Sequence, residues 1–328
     1  LSLQGSPDAQ FKTLTKLYKH HSTSNDYEEM INVSILQAAL IIEYLVITQK
    51  EPNFFNNEHP AMLFAQSCPF VDQVCAPQFQ LPKVPGFADS EFFSELGFLS
   101  ILNNVFQLCQ KGQIFETAAT IIDLVWPILE SSRQYGKIES FFEMASEMFT
   151  HEFKAPPHSS DAMSYRFYRV TFFGSMFGNN DRKSYIYRQN RLVGLFNYTD
   201  YIQKKYSQMT NKEIKIISDS AKVDESTLDK EIGYVQVTYV KPLIKKIKDN
   251  SEKLNTTIGL SQLNNQFFYE SPFVQGSNEK QGPIDKQWLR RTVLTTEYPL
   301  PNITKRALIT SEEIKDFEPI RVVYRQLR

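Results

Sequence analysis

The sequence predicts an α+β chain: an N-terminal lobe of antiparallel helical repeats, then a lobe of antiparallel β-sheets, ending at the start of a further helical lobe. Three observations predict it. Apolar residues recur at helical spacing up to about residue 158. The stretch Tyr165–Tyr187 (YRFYRVTFFGSMFGNNDRKSYIY) gathers aromatic and β-branched residues into two runs, 167–173 and 184–187. Between them lie the turn formers Gly174, Gly178, Asn179, Asn180 and Asp181, so the stretch reads as a hairpin with a long loop. Beyond it, short alternating runs replace the helical pattern.

The helices come first. Ser6-Pro7-Asp8 suits a helix start: a capping hydroxyl, a proline at the first helical position and an acid at the positive end of the dipole. Phe11, Leu14, Leu17 and Tyr18 follow at helical spacing, and 22–26 breaks the helix. A second helix spans 27–48, apolar over so wide an arc that it must lie inside a stack. Residues 49–88 carry six prolines and read as a docked connector, with Phe70, Val71, Phe79 and Leu81 packing. Asp89 or Ser90 would cap a third helix running to Lys111, stopped by Gly112. Helices over 113–131, kinked at Pro127, and 134–149 complete the series. Short turns between them predict stacked helical hairpins, of which a tetratricopeptide-like array is one form, although that consensus is missing.

The mixed half is read as a helix over 193–206, a strand over 214–217 and a polar loop over 219–230. Tyr234–Val240 (YVQVTYV) alternates, with Val235, Val237 and Tyr239 on one buried side and Pro242 ending the strand. A charged linker follows over 245–257, then strands over 265–273, 288–296 and 306–310 with a turn at 276–282 and Pro299 and Pro301 between the last two. These connections predict a small sheet domain or two packed sheets. From Ser311 the chain turns acidic and then helical over 317–327. The resulting division is 1–159, 160–315 and 316–328.

Composition narrows the function. The 328 residues carry a net charge of −1, so no global field draws the chain to nucleic acid or to an anionic membrane. Cys68, Cys75 and Cys109 lack metal spacing and read as free thiols in a reducing, cytoplasmic compartment. The five histidines form no metal arrangement, and no cofactor is expected. No 18-residue apolar run predicts a membrane span, and the first ten residues lack a signal-peptide pattern and read as the start of an excised segment. No glycine-rich phosphate loop, no G-x-S-x-G elbow and no separated carboxylate pair suggests bond chemistry. Binding is favoured over catalysis. The leading feature is the strand Gln287, Trp288, Arg290, Arg291, Thr292, where Trp288 and Arg290 share a face as a hot-spot pair would. The bland alternative leaves one arginine in solvent and the other paired with a carboxylate.

Four ordered stretches carry a family resemblance over nearly the whole chain. QAALIIEYL (37–45) resembles an early helix motif, AALVAEYL. FYRVTFFGSMFG (167–178) with YIYR (185–188) resembles YFRVAFFG…YIYKEP. ISDSAKVDESTLDKEIGYVQVTYVKP (217–242) resembles DSGKV…LD…AYIQVTYV.P. FFYESPF with QGPIDKQWLRRTVLTT (267–296) resembles RFMFE.PF…CKRRTILT. These are motifs of the second DOCK homology region of the DOCK exchange factors, and the loop wording is nearest the zizimin-like branch. YIYRQN stands where the family has YIYKEP, and Asn264–Asn265 replace a basic pair.

The resemblance implies a guanine nucleotide exchange factor for a Rho-family small GTPase, Rac-like or Cdc-like, upstream of actin and cell-migration signalling. It implies a helical lobe A (1–159) that homodimerises, a lobe B of two antiparallel sheets (160–315) that docks the GTPase, and a lobe C (from 316) whose nucleotide-sensing insert lies beyond Arg328. It also implies a cytoplasmic protein whose membrane recruitment rests on parts outside this chain. The helices over 113–131 and 134–149 are the expected dimer contact, and Gln287, Trp288, Arg290, Arg291 and Thr292 the expected partner contact. The alternative is a dimeric scaffold that docks a GTPase without exchanging its nucleotide.

Overall fold

The computed structural model describes residues 7–48, 64, 65, 68, 71, 92–112, 114–131, 133, 135–149, 165–190, 193–221, 223–243, 264–276, 283 and 286–319. The chain divides into two compact units, Leu1–Pro157 and His158–Arg328.

The first unit is helical: α1 (Pro7–Ser22), α2 (Tyr27–Ile47), α3 (Glu95–Gly112), α4 (Phe115–Ser131) and α5 (Tyr135–Phe149). α2 is its centre. Val33, Ile35, Leu36, Ala38, Ala39, Ile41 and Ile42 are all fully buried, as its wide apolar arc predicts. By length and composition Tyr27–Val46 could span a membrane, which the sequence reading did not expect, but it is packed within the unit. Polar ties fix its neighbours. Gln37 Nε2 donates to Thr15 Oγ1 of α1 at 3.0 Å, and Asn104 of α3 donates to Ser34 Oγ and accepts from Tyr18, each at 3.3 Å.

Helix α3 starts later than expected, and its cap is Ser94, whose hydroxyl accepts from the Gly97 N–H at 3.1 Å. A Cβ on Gly97 would lie 2.3 Å from the Phe92 carbonyl oxygen, so only glycine fits this entry turn. The α4 assignment runs through Pro127 without a break. Of the Pro-rich connector, Phe64, Cys68 and Val71 are described and buried, while Phe70, Phe79, Leu81 and the expected caps Asp89 and Ser90 lie outside the described residues.

The second unit contains β1 (Tyr165–Phe173), β2 (Ser184–Asn190), α6 (Leu195–Thr210), β3 (Ile214–Ile217), β4 (Gly233–Pro242), β5 (Asn264–Val274), β6 (Gln287–Leu300) and β7 (Arg306–Phe317). The expected hairpin forms: β1 and β2 pair antiparallel from Tyr165↔Asn190 to Thr171↔Ser184. Its loop holds a 3-10 turn (Ser175–Asn180), and Gly174 and Gly178 take positive φ of 130° and 55°.

The two sheets of the sequence reading are instead one closed barrel. The order is β1-β2-β7-β6-β5-β4, and β4 returns to β1 through Phe167↔Val240 to Phe173↔Tyr234. β3 adds to β4 in parallel. β1 closes the barrel by pairing along both of its edges, with β2 on one and β4 on the other. Six strands each contribute to one interior cluster: Phe167, Ile186, Val240, Phe267, Leu294, Leu300 and Ala307. On the outside, α6 lays Tyr198, Ile202 and Tyr206 over Tyr168, Val170 and Phe172 of β1 and Val235 and Val237 of β4.

Two strands run past their expected ends. β6 continues through Pro299 to Leu300. β7 continues to Phe317, so 311–317 is strand where an acidic stretch and the start of a helix were expected. The remainder of the expected helix lies outside the described residues beyond Pro319, as does the linker 245–257. In β4, Val235 and Val237 are buried but Tyr239 is 43% exposed, because α6 covers only part of that face.

Candidate functional site

Strands β5, β6 and β7 are longer than their neighbours. β4 reaches β5 only at Lys241↔Phe268 and Pro242↔Phe267, and β2 reaches β7 only at 306–308. The far ends of the three strands therefore pair only with one another, as an arm in which Val274↔Gln287 and Leu289↔Phe317 are the outermost partners. Its outer strand is rich in charge (Glu312, Glu313, Lys315, Asp316), which discourages edge-to-edge aggregation.

The predicted contact residues lie on this arm. Trp288 sits opposite Phe273, with ring centroids 6.1 Å apart. The Arg290 guanidinium lies 4.7 Å from the same Phe273 ring centroid and forms two 2.8 Å hydrogen bonds to Asp316, Nε to Oδ1 and Nη2 to Oδ2. Trp288, Phe273 and Arg290 thus form one layer on one face. Arg291 points to the opposite face. Its Nε donates to Glu270 Oε1 at 2.7 Å, its Nη2 contacts the same oxygen, and its guanidinium lies 4.3 Å from the Phe268 ring centroid and 5.5 Å from that of Phe317. Gln287 Nε2 donates to the Phe273 carbonyl at 3.3 Å. Thr292 is 4% exposed, so its side chain supports the strand from within and presents no surface.

Arg290 keeps a solvent-facing side chain, 43% exposed, while Arg291 is more buried, close to the bland alternative. Both are paired with carboxylates across the ladder. Hydrogen bonding to Arg290 holds the Asp316 carboxyl below the ordinary aspartate range, and the same bond raises Arg290. The partners Glu270 and Asp316 and the aromatic platforms Phe268 and Phe273 were not singled out from sequence. The available signal was register: each arginine has an acid directly opposite on a flanking strand.

The arm thus presents stacked aromatic and guanidinium planes, with each guanidinium paired to a carboxylate. Among the described residues no group of three His, Cys, Asp or Glu side chains could hold a metal ion. Cys68 and Cys109 are buried, and Cys75 lies outside the described residues.

Comparison with known proteins matches both units to one region. The family described as DHR-2, Lobe A matches residues 1–154, and DHR-2, Lobe B matches residues 220–299. Guanine nucleotide exchange factor SPIKE 1 of Arabidopsis thaliana is 26% identical over 323 residues, covering 96% of this chain and 17% of that protein. Dedicator of cytokinesis protein 8 of Homo sapiens is 26% identical over 330 residues (100% and 15%), and Dedicator of cytokinesis protein 11 of Danio rerio 27% over 331 residues (100% and 15%). The chain therefore spans 15–17% of the length of these relatives.

Proposed function

The chain belongs to the DHR-2 region of the DOCK (dedicator of cytokinesis) family, and from that premise we propose that it is the dimerisation and GTPase-docking part of a guanine nucleotide exchange factor for a Rho-family small GTPase. The observation that carries the proposal is the ordered match of both DHR-2 lobes, together with full-length similarity to a relative whose name is that of an exchange factor. Residues 1–159 act as lobe A, a stack of helical hairpins of tetratricopeptide-like kind. Residues 160–315, with β7 continuing to Phe317, act as lobe B, and the residues after it lead into lobe C.

Exchange is a linkage effect. A factor that binds the nucleotide-free GTPase more tightly than the loaded one weakens nucleotide affinity by the same ratio. No group need be a catalytic acid or base. In this reading the arm supplies docking through Trp288, Arg290 and Arg291, with Gln287 at its tip. Lobe A supplies the homodimer contact through α4 and α5, where Trp126 (36%), Tyr135 (71%) and Phe142 (43%) are exposed. Trp126 and Phe142 pack edge to face with centroids 5.1 Å apart, a ready apolar patch for a second copy. The compartment is cytoplasmic, where the GTPase resides.

The test is a pair of affinities. Binding of the chain to a panel of Rho-family GTPases is measured by titration, nucleotide-free and GDP-loaded. The reading expects one or more GTPases to bind with preference for the nucleotide-free form. Equal affinity for both forms would indicate the scaffold, and no binding to any member would refute docking.

A further inference from the structure

The barrel interior changes character along its axis. Beyond the apolar layer around Phe167 and Phe267, Arg169 of β1 points inward and is only 5% exposed. Its Nη1 donates to Tyr269 Oη at 2.9 Å. Its Nη2 donates to Gln236 Oε1 at 2.6 Å and, at 3.3 Å each, to Thr238 Oγ1 and the Ser220 carbonyl. The guanidinium carbon lies 4.7 Å from the Tyr269 ring centroid. Every one of these partners is neutral, and the buried Nε has no partner. Among the described residues no carboxylate pairs with Arg169.

A buried full charge is ordinarily paired, because neutral dipoles only partly replace the water it has lost. Arg290 and Arg291 on the same sheet show the ordinary solution, an acid opposite each. Arg169 departs from it and keeps an unused donor. The turn above it is thin. The Asp219 and Ala221 carbonyls accept from Gln236 Nε2, which seats Ser220 over the guanidinium. Thr292 pairs with Tyr269, and by strand alternation Arg290 and Trp288 continue the same face outward, so this polar end of the barrel adjoins the arm.

We propose that the polar end of the barrel is a carboxylate-binding site whose cation is Arg169 and whose cover is the 219–221 turn. The incoming oxygens replace the Ser220 carbonyl and engage the free Nε–H, exchanging a bond from the cation to a neutral carbonyl for bonds in which donor and acceptor are both charged. Tyr269, Gln236 and Thr238 hold the guanidinium plane in place. The carboxylate comes either from a small acid in solution or from an acidic side chain of a docked protein. The site does not depend on the exchange reading, and its failure would leave that reading intact.

The test follows the Arg169 Nε–Hε NMR resonance in the intact chain, assigned by its loss in Arg169→Lys. Sodium acetate is titrated against chloride at constant ionic strength, with acetamide as the neutral isostere, and a nucleotide-free Rho-family GTPase is added separately. A saturable shift with acetate and none with acetamide, accompanied by faster amide exchange at Ala221 as the turn lifts, supports a site open to small acids. A shift with the GTPase alone assigns the carboxylate to a docked protein. No shift with either overturns the proposal. The titrations are read on the unsubstituted chain, and the proximity of the Arg169 guanidinium to the Tyr269 ring gives a cross-relaxation contact that assigns the resonance should Arg169→Lys fail to fold.

Discussion

Arg290 and Asp316 face each other across the β6–β7 ladder through two parallel 2.8 Å hydrogen bonds, over the ring of Phe273. Both side chains remain partly exposed, so the pair is worth little in stability, about 0–1 kcal/mol after screening. Asp316→Asn is expected to lower stability by no more than about 1 kcal/mol, with a coupling to Arg290→Gln of about 0.5 kcal/mol in a double-mutant cycle by urea unfolding. The Asp316 carboxyl is depressed, so its contribution is present above the ordinary aspartate pKa near ~3.9 and is lost as pH falls through the folded value. The coupling should vanish in acid.

The barrel core gives a larger effect. Phe167 and Phe267 are both buried, with ring centroids 4.9 Å apart. Either one changed to Ala is expected to cost about 3–5 kcal/mol, the transfer loss plus the cavity. Each unit carries one of the two tryptophans, so a Trp126→Phe background lets Trp288 fluorescence report the barrel alone. The double variant should cost less than the sum, because the two rings share one space.

Alkaline pH should destabilise the barrel unit. Burial raises the Tyr187 and Tyr198 hydroxyls, so the folded state holds these protons more tightly than the unfolded chain does. Their contribution is complete below the ordinary tyrosine pKa of about 10 and falls as pH rises towards the folded values. Denaturant midpoints measured on either side of about pH 10 should show this loss, and Tyr198→Phe should reduce it.

Much of the fold was legible because its signals are local. The hairpin of β1 and β2, the burial of α2 and the alternating strand over 234–240 each follow from spacing and turn residues within a few positions. Barrel closure was not legible, since alternation reports which face of a strand is buried and not which edges are paired. Val170↔Val237 joins residues 67 apart with no local mark. The acidic stretch from Ser311 was not read as strand for a related reason: on an exposed arm neither face of the strand need be apolar. At the candidate site the Trp288–Arg290 face was readable from alternation, whereas the pairings with Asp316 and Glu270 required register. Arg169, one charge within an aromatic strand, gave no sign that it lacks an acidic partner.

The proposed dimer contact separates surface from core on adjacent residues of α5. Phe142 is exposed and Phe141 is 2% exposed against Phe106. Trp126→Ala with Phe142→Ala is expected to shift the chain from dimer to monomer in sedimentation equilibrium while leaving unfolding within about 1 kcal/mol. Phe141→Ala should instead destabilise the helical unit by about 3–5 kcal/mol.

The central claim is that this chain docks a GTPase for nucleotide exchange through the β5–β7 arm. The most direct test is fluorescent-GDP release from a Rho-family GTPase panel, using this chain, a form continued into lobe C, and Trp288→Ala and Arg290→Glu in that longer form. The account predicts that the longer form accelerates release from at least one GTPase and that each substitution slows it about tenfold or more, with folding intact. Release that no form accelerates for any member, or acceleration that both substitutions leave unchanged, would contradict it.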